Sequence, residues 1–246
     1  MLIEQAAYAN RWRPVSPAAK GLFAASALAA AFAASAPSTA AIIAAVLMTV
    51  TVLGAGIALL SYLRVGAPAL LFLALGCLSL AFSVDVGNSG PVLQVAPTGW
   101  HKLAEVGARS LGALAALLFL ILTTPLIDLI ALLRRLKTPE LLLEIMVLCY
   151  RMLFVFSAAI DETLTAQSAR LGYASPRLAM RSLGELAANL TLQVWQRAHA
   201  LHVAAQARNN DGPLRFIEPV FPHAGRDCCI AALAGSSLIA LALVLR

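Results

Sequence analysis

Apolar residues in this chain gather into long runs, with few of the polar interruptions that mark the wet face of a soluble helix. Crossing the hydrocarbon core of a bilayer takes roughly 20 helical residues, and runs of about that length occupy 18–36, 40–63, 69–84, 106–124 and 228–245. The pattern predicts an all-α polytopic membrane protein with about five transmembrane helices. Pro37 and Ser38 close the first run. Gly54 and Gly56 in the second suggest close helix packing, and Arg64, Gly66 and Pro68 predict a tight return into the third. Residues 85–105 hold Gly87, Asn88, Gly90, Pro91, Pro97 and Gly99 and read as an irregular loop, with Trp100 placed as an interfacial anchor.

Beyond residue 124 the pattern changes. Pro125 ends the fourth run or opens a new helix at its first turn, and 125–136 is amphipathic, with Asp128, Arg134 and Arg135 among leucines. Pro139 opens a long helix reaching Arg170, apolar at first and polar after Asp161; Pro176 opens another reaching Arg208. In the latter, Leu183, Leu186, Leu190, Val194 and Leu201 form one apolar stripe opposite Arg181, Glu185, Asn189, Gln193 and Gln196. Such a helix lies on or between surfaces and does not cross lipid. The expected organisation is transmembrane helices one to four in 1–124, a cytoplasmic helical segment in 125–226, and a C-terminal transmembrane helix in 227–246.

Composition strengthens the membrane reading. Only 12% of the 246 residues are charged, against about a quarter in a soluble domain. The formal charge of +6 is spread over connections and helix ends. That placement fits topology and contact with anionic lipid headgroups better than nucleic-acid binding, so membrane lipid is an expected partner and nucleic acid is not. With five spans and a cytoplasmic N-terminus, only Lys102, Arg109 and Arg246 of the 18 Lys and Arg fall outside. The expectation is a multi-pass protein of the cell inner membrane with its N-terminus in the cytoplasm. The same count assigns 141–160 to the cytoplasmic segment, although that run is apolar enough to span and holds only Glu144 and Arg151 as charges. Arg11, Arg13 and Lys20 around the start of the first run imitate a secretory signal, but this basic region is long and a second span follows at once, so a first membrane helix is expected.

Catalytic chemistry is not visible. None of Lys20, Lys102 and Lys137 follows a glycine, so no phosphate-cradling loop exists, and no nucleophile-elbow motif occurs. His199 and His202, three apart on the amphipathic helix, and His223 with Cys228 and Cys229 are thin metal-ligand sets. The chain is therefore expected to hold no metal and no cofactor, and to be no enzyme. Cys77, Cys149, Cys228 and Cys229 form no CxxC pair and read as reduced apolar fillers. Glu144 and Arg151, seven residues and so two turns apart, share a helix face in an apolar run and need partners.

Two elements recur where the long helices end: Ser168-Ala169-Arg170-Leu171-Gly172 and Gln206-Ala207-Arg208-Asn209-Asn210-Asp211-Gly212. Paired Ala-Arg elements at the ends of consecutive long helices resemble the signature of the energy-coupling-factor T family, whose motif typically reads Ala-Arg-Gly; here Leu171 and Asn209 stand at the glycine position. Asn10-Arg11-Trp12-Arg13, Arg109-Ser110-Leu111, Tyr150-Arg151 and the stretch from Leu122 through Thr123, Thr124 and Asp128 to Leu129 are similar to its cobalt branch, CbiQ. The resemblance implies a non-enzymatic coupling subunit of a cobalt importer. Ala169, Arg170, Ala207 and Arg208 would contact two ABC ATPase subunits, which hydrolyse ATP, and a separate substrate-binding membrane subunit would hold the cobalt. Nickel is the alternative metal. A self-contained secondary transporter would instead need polar residues in several spans, and an intramembrane enzyme would need clustered His, Glu or Asp.

Overall fold

Prolines and serines set where several helices begin. Proline suits the first helical position because its missing N–H would have no partner there, and a preceding serine can accept from a free N–H of the first turn. Ser16 Oγ accepts from Ala19 N at 3.4 Å ahead of Pro17, and Ser175 Oγ from Leu178 N at 3.3 Å ahead of Pro176. The structure, a computed structural model, describes residues 2–87, 90–95, 99–209 and 221–244. In chain order its helices are α1 (Leu2–Ala9), α2 (Pro17–Ala33), α3 (Pro37–Thr49), α4 (Leu59–Ala81), α5 (Gly99–Thr123), α6 (Leu126–Arg135), α7 (Glu140–Ala169), α8 (Pro176–Ala207) and α9 (Ala224–Val244). A π-helical turn, Val50–Gly54, continues α3, and strands β1 (Phe82–Gly87) and β2 (Gly90–Val95) pair antiparallel between α4 and α5.

The chain divides into two compact units, one made of Met1–Leu132 with Glu218–Arg246 and the other of Leu133–Ile217. In the first, α2 packs against α9 and α5, and α5 against α3 and α4. Its main core is built mostly of alanine: Ala27, Ala30, Ala34, Ala40, Ala115, Ala116 and Ala242 join Ile43, Leu47 and Leu238. Small side chains let helix backbones approach closely where lipid supplies no hydrophobic drive between helices. A Cβ on Gly112 would stand 2.9 Å from Ala31 Cβ, and one on Gly235 would stand 2.1 Å from Ser26 Oγ. A second cluster gathers Ala55, Ile57, Tyr62, Leu118 and Leu122, and Phe119 meets Trp12 and Phe23 edge-to-face at 5.9 and 5.2 Å. At the C-terminal end of α2, Arg109 donates to Ala34 O at 3.1 Å and pairs with Glu105 one turn back.

Among the described residues, five helical segments are long and apolar enough to cross a membrane: Pro37–Gly54, Leu59–Ser79, Lys102–Thr123, Glu140–Ala169 and Ala224–Val244. The protein is thus an all-α polytopic membrane protein, but the boundaries differ from expectation in several places. The return between the second and third runs falls at 55–58, not at Arg64, Gly66 and Pro68. Gly56 adopts φ +73°, a conformation that costs glycine little, and the Arg11 side chain lies 3.2 Å from where its Cβ would be. Arg11 N also donates to Ala55 O at 3.0 Å. Pro68 instead lies inside α4; proline's fixed φ is helical, and membrane helices tolerate the one lost hydrogen bond. Gly54 does mark close packing, since its Cβ would meet Trp12 at 2.9 Å.

The segment 85–105 is not wholly irregular. Its first part belongs to the β1–β2 hairpin, in which Phe82 pairs with Val95 and Gly87 with Gly90, and α5 already starts at Gly99. Asn88 and Pro97 lie outside the described residues, as does the side chain of Trp100. The first apolar run forms a helix of 17 residues, slightly short of the roughly 20 that cross the hydrocarbon core. Conversely, length and apolarity alone qualify Glu140–Ala169, the helix that charge balance assigns to the cytoplasmic segment.

Candidate functional site

The two Ala-Arg elements close their helices in the same way. Arg170 caps α7 with φ −93°, ψ 14°, and Arg208 caps α8 with φ −96°, ψ 7°. The next residue is left-handed in both cases, Leu171 at φ 58° and Asn209 at φ 52°. Leu171 N donates to Ser168 O at 3.0 Å and Gly172 N to Gln167 O at 2.9 Å, while Asn209 N donates to Gln206 O at 3.0 Å. At α7 these bonds make the Schellman termination, and the left-handed residue after the cap is the position where glycine is favoured. A left-handed leucine costs about 1–2 kcal/mol, whereas asparagine visits the region more readily. The backbone therefore explains why a glycine would suit positions 171 and 209. Asn210, Asp211 and Gly212 lie outside the described residues.

Around the α7 end, side chains lock the turn in place. Gln167 Nε2 donates to Ser182 O at 3.0 Å, Tyr173 Oη to Gln167 Oε1 at 2.7 Å, and Ser182 Oγ to Gly172 O at 3.0 Å. A Cβ on Gly172 would meet Ser182 Oγ at 2.7 Å and Gln167 O at 3.0 Å, so this turn admits only glycine there without rearrangement. Ala169, Arg170, Ala207 and Arg208 are all exposed. Ser182 stands beside the α7 turn, and 26 residues separate it from Arg208; at 1.5 Å per residue that is about 39 Å along α8. The arrangement presents two like-built cationic helix ends far apart. Each guanidinium extends a planar fork of donors at a helix terminus whose dipole already favours a cation.

In the other unit the structure brings together residues far apart in sequence. Arg13 donates to Asp128 Oδ2, forming an ion pair in which Asp128 is 2% exposed. Asn10 Nδ2 and Lys20 Nζ both donate to Thr123 O, at 3.1 and 2.9 Å. The stretches 10–13 and 122–129 thus meet at one end of α5, and beside them is a cavity of about 340 Å³ whose lining includes Trp12, Lys20, Phe23, Phe119 and Asp227. Sequence reasoning singled out both stretches without joining them. The available signal was the pair of lone charges, Arg13 and Asp128, next to apolar runs.

The remaining candidates do not converge. Among the described residues no three His, Cys, Asp or Glu side chains gather as a metal site. His199, His202 and His223 are exposed. Cys149 and Cys229 are exposed too, while Cys77 and Cys228 are half-buried, so only the latter two act as fillers; all four are free thiols. Arg151 is exposed and Glu144 half-buried on α7, and Tyr150 stacks edge-to-face on Phe154 at 5.1 Å.

A family model described as CbiQ, cobalt transport protein, matches residues 9–216. An uncharacterized protein of Methanocaldococcus jannaschii is 34% identical over 112 residues, covering 46% of this chain and 42% of that one. The cobalt transport protein CbiQ of Rhodobacter capsulatus is 34% identical over 134 residues, 54% of each chain. A putative fused cobalt transport protein CbiMQ of Methanocorpusculum labreanum is 30% identical over 148 residues, covering 60% of this chain and 24% of the other. The chain thus spans about half the length, or less, of these curated relatives.

Proposed function

The chain belongs to the CbiQ cobalt transport family, and from that premise we propose that it is the transmembrane coupling subunit of an energy-coupling-factor importer for cobalt. It would sit in the cell inner membrane with its N-terminus in the cytoplasm, and residues 125–226 would form the cytoplasmic coupling domain. Two ABC ATPase subunits would dock on the ends of α7 and α8, through Ala169 with Arg170 and Ala207 with Arg208. Closure of the ATPase pair on ATP would move both helix ends, and the movement would reorient a separate membrane subunit that holds the metal. A relative named as a fused CbiMQ supports a membrane partner of that kind.

The observation that carries the reading is the matched pair of helix ends. Equal cap geometry at Arg170 and Arg208, on helix ends about 39 Å apart along α8, suits two copies of one kind of partner. The alanine before each arginine leaves room for a close approach. A charged hydrogen bond contributes on the order of 1.5–3 kcal/mol, so losing one arginine should weaken docking at that end roughly tenfold to a hundredfold. Arg→Lys should not rescue it, because lysine keeps the charge and loses the fork.

The test is cobalt uptake by cells, together with co-purification of the ATPase, for Arg170→Ala, Arg208→Ala and the double variant. The double variant is expected to lose both. A double variant that binds the ATPase and imports metal like the parent would sink the assignment. Competing cobalt with nickel in the same uptake assay would fix the metal.

A further inference from the structure

The chain leaves the first unit after Leu132 and returns to it at Glu218. The carboxylates in the first turns of the helices on either side of that excursion, Asp128 of α6 and Asp227 of α9, engage one short segment. Arg13 donates to Asp128 Oδ2, and three residues later the backbone N–H of Ser16 donates to Asp227 Oδ2 at 3.2 Å. Ser16 is 1% exposed, caps α2, and lies 4.0 Å from Cys228 Sγ. One turn further, Lys20 is 3% exposed and donates to Thr123 O, just ahead of α6. Both crossings of the chain are therefore tied to residues 13–20.

The chemistry of these ties makes them stiff. Asp128 is buried and its Oδ1 has no hydrogen-bond partner, so the Arg13 guanidinium is the group that hydrogen-bonds its carboxylate. Pulling the two apart would strip the buried carboxylate of its hydrogen-bonded partner, which is costlier than moving them together. The helix N-terminus adds to the hold on each carboxylate. From Pro17 the segment becomes α2, which packs against α9 and α5 and places Ala27, Ala30 and Ala34 in or beside the alanine core.

We infer that residues 13–20 are a fulcrum, with Arg13, Asp128 and Asp227 as positioning residues that pass displacement arriving through α6 and α9 to α2 and the membrane core. The inference rests on the coupling-subunit reading above, since only a subunit that receives motion needs such a joint. It differs from a merely structural role in what it controls: the yield of transport from each ATP, rather than assembly. Arg181–Glu185, an exposed ion pair on α8, provides a control with similar chemistry and no link to either crossing.

The experiment uses the full transporter, purified with its ATPase and metal-binding subunits and reconstituted in liposomes, with cobalt imported per ATP hydrolysed as the readout. The Arg13→Gln/Asp128→Asn double variant, Asp128→Asn alone and Asp227→Ala should assemble and hydrolyse ATP, and their cobalt-to-ATP ratio should fall about tenfold or more, within the range of ordinary coupling between sites. Glu185→Gln should keep the parental ratio. Assembled variants with a parental ratio would overturn the fulcrum. Failure of the three variants to assemble would overturn it as well, because the residues would then be holding the fold. Failure of the underlying reading looks different: the parent chain itself would not associate with an ATPase.

Discussion

In the unit made of Met1–Leu132 and Glu218–Arg246, helices meet through alanine and glycine; in Leu133–Ile217 they present most of their side chains outward. Of the apolar stretch in Lys102–Thr123, 44% is buried, against 6% in Glu140–Ala169. Among its described residues the second unit buries little beyond Leu143, Ser182 and Leu186, while Leu141, Leu153, Met180 and Trp195 are each more than 60% exposed. Yet α7 and α8 are the two longest helices, with 30 and 32 residues. The first unit is held by packing across helices, the second by terminations within them and a few polar locks at one turn. A region that stores little packing energy of its own can move as a lever when its ends are pulled, provided lipid or protein covers its apolar face.

Replacing one glycine in each unit tests that contrast most severely. Gly235→Leu must drive a side chain into Ser26, 2.1 Å from the first added atom, whereas Gly184 of α8 has open space around its Cβ position. Gly235→Leu should destabilise the protein by about 3 kcal/mol or more, read as a lowered thermal midpoint in detergent. Gly184→Ala should instead stabilise α8 by about 0.5–1 kcal/mol. Equal responses would erase the distinction. Gly172→Ala comes next, because it breaks the tightly built turn between α7 and α8; overpacking against Ser182 and Gln167 should cost about 1–3 kcal/mol. Protease cleavage between α7 and α8 should rise with it. A parental cleavage rate would show that the turn is slack.

A smaller effect of opposite sign is expected at the neighbouring position. Leu171→Gly removes the left-handed strain and the exposed leucine at once, at the cost of a more flexible unfolded chain. The net gain should be on the order of 0.5–1 kcal/mol in thermal unfolding. A loss instead would mean that Leu171 packs on something that stabilises the turn. The smallest change is Arg177→Ala on the exposed first turn of α8; ATPase co-purification and cobalt uptake should both stay parental. Any defect there approaching that of Arg170→Ala would make the effect one of general positive charge.

Much of the second unit was legible from the chain alone. Pro139 and Pro176 place the helix starts, the polar turn after Asp161 leads to an end at Arg170, and both long helices finish within a residue of expectation. Such signals are local: ring geometry, capping, and the switch from apolar to polar. Ala169, Arg170, Ala207 and Arg208 could be singled out because their surroundings repeat. The left-handed residues after the two arginines were not visible, since leucine gives no hint of that backbone. In the first unit, local signals misled. Pro68 looked like a breaker and sits inside α4, while the true return depends on Arg11 reaching Gly56 from over forty residues away in the chain. The Arg13–Asp128 tie, 115 residues apart in sequence, showed only as two charges beside apolar runs, with nothing local to join them.

The close fit of Gly235 against Ser26 has one more consequence, and it concerns the order in which the protein is made. The two residues are roughly two hundred positions apart, and such distant contacts are the last to be rewarded as a chain closes on itself. While the ribosome is still producing α3 to α8, the face of α2 that will receive α9 stays uncovered. Nascent chains stalled or cut before α9 would carry that vacant alanine seam into the bilayer, where a second, equally unfinished copy offers the same small-residue surface. Such species are open to mispairing. Completion of the first unit thus waits on synthesis of the whole second unit, in a protein whose two units are held so differently.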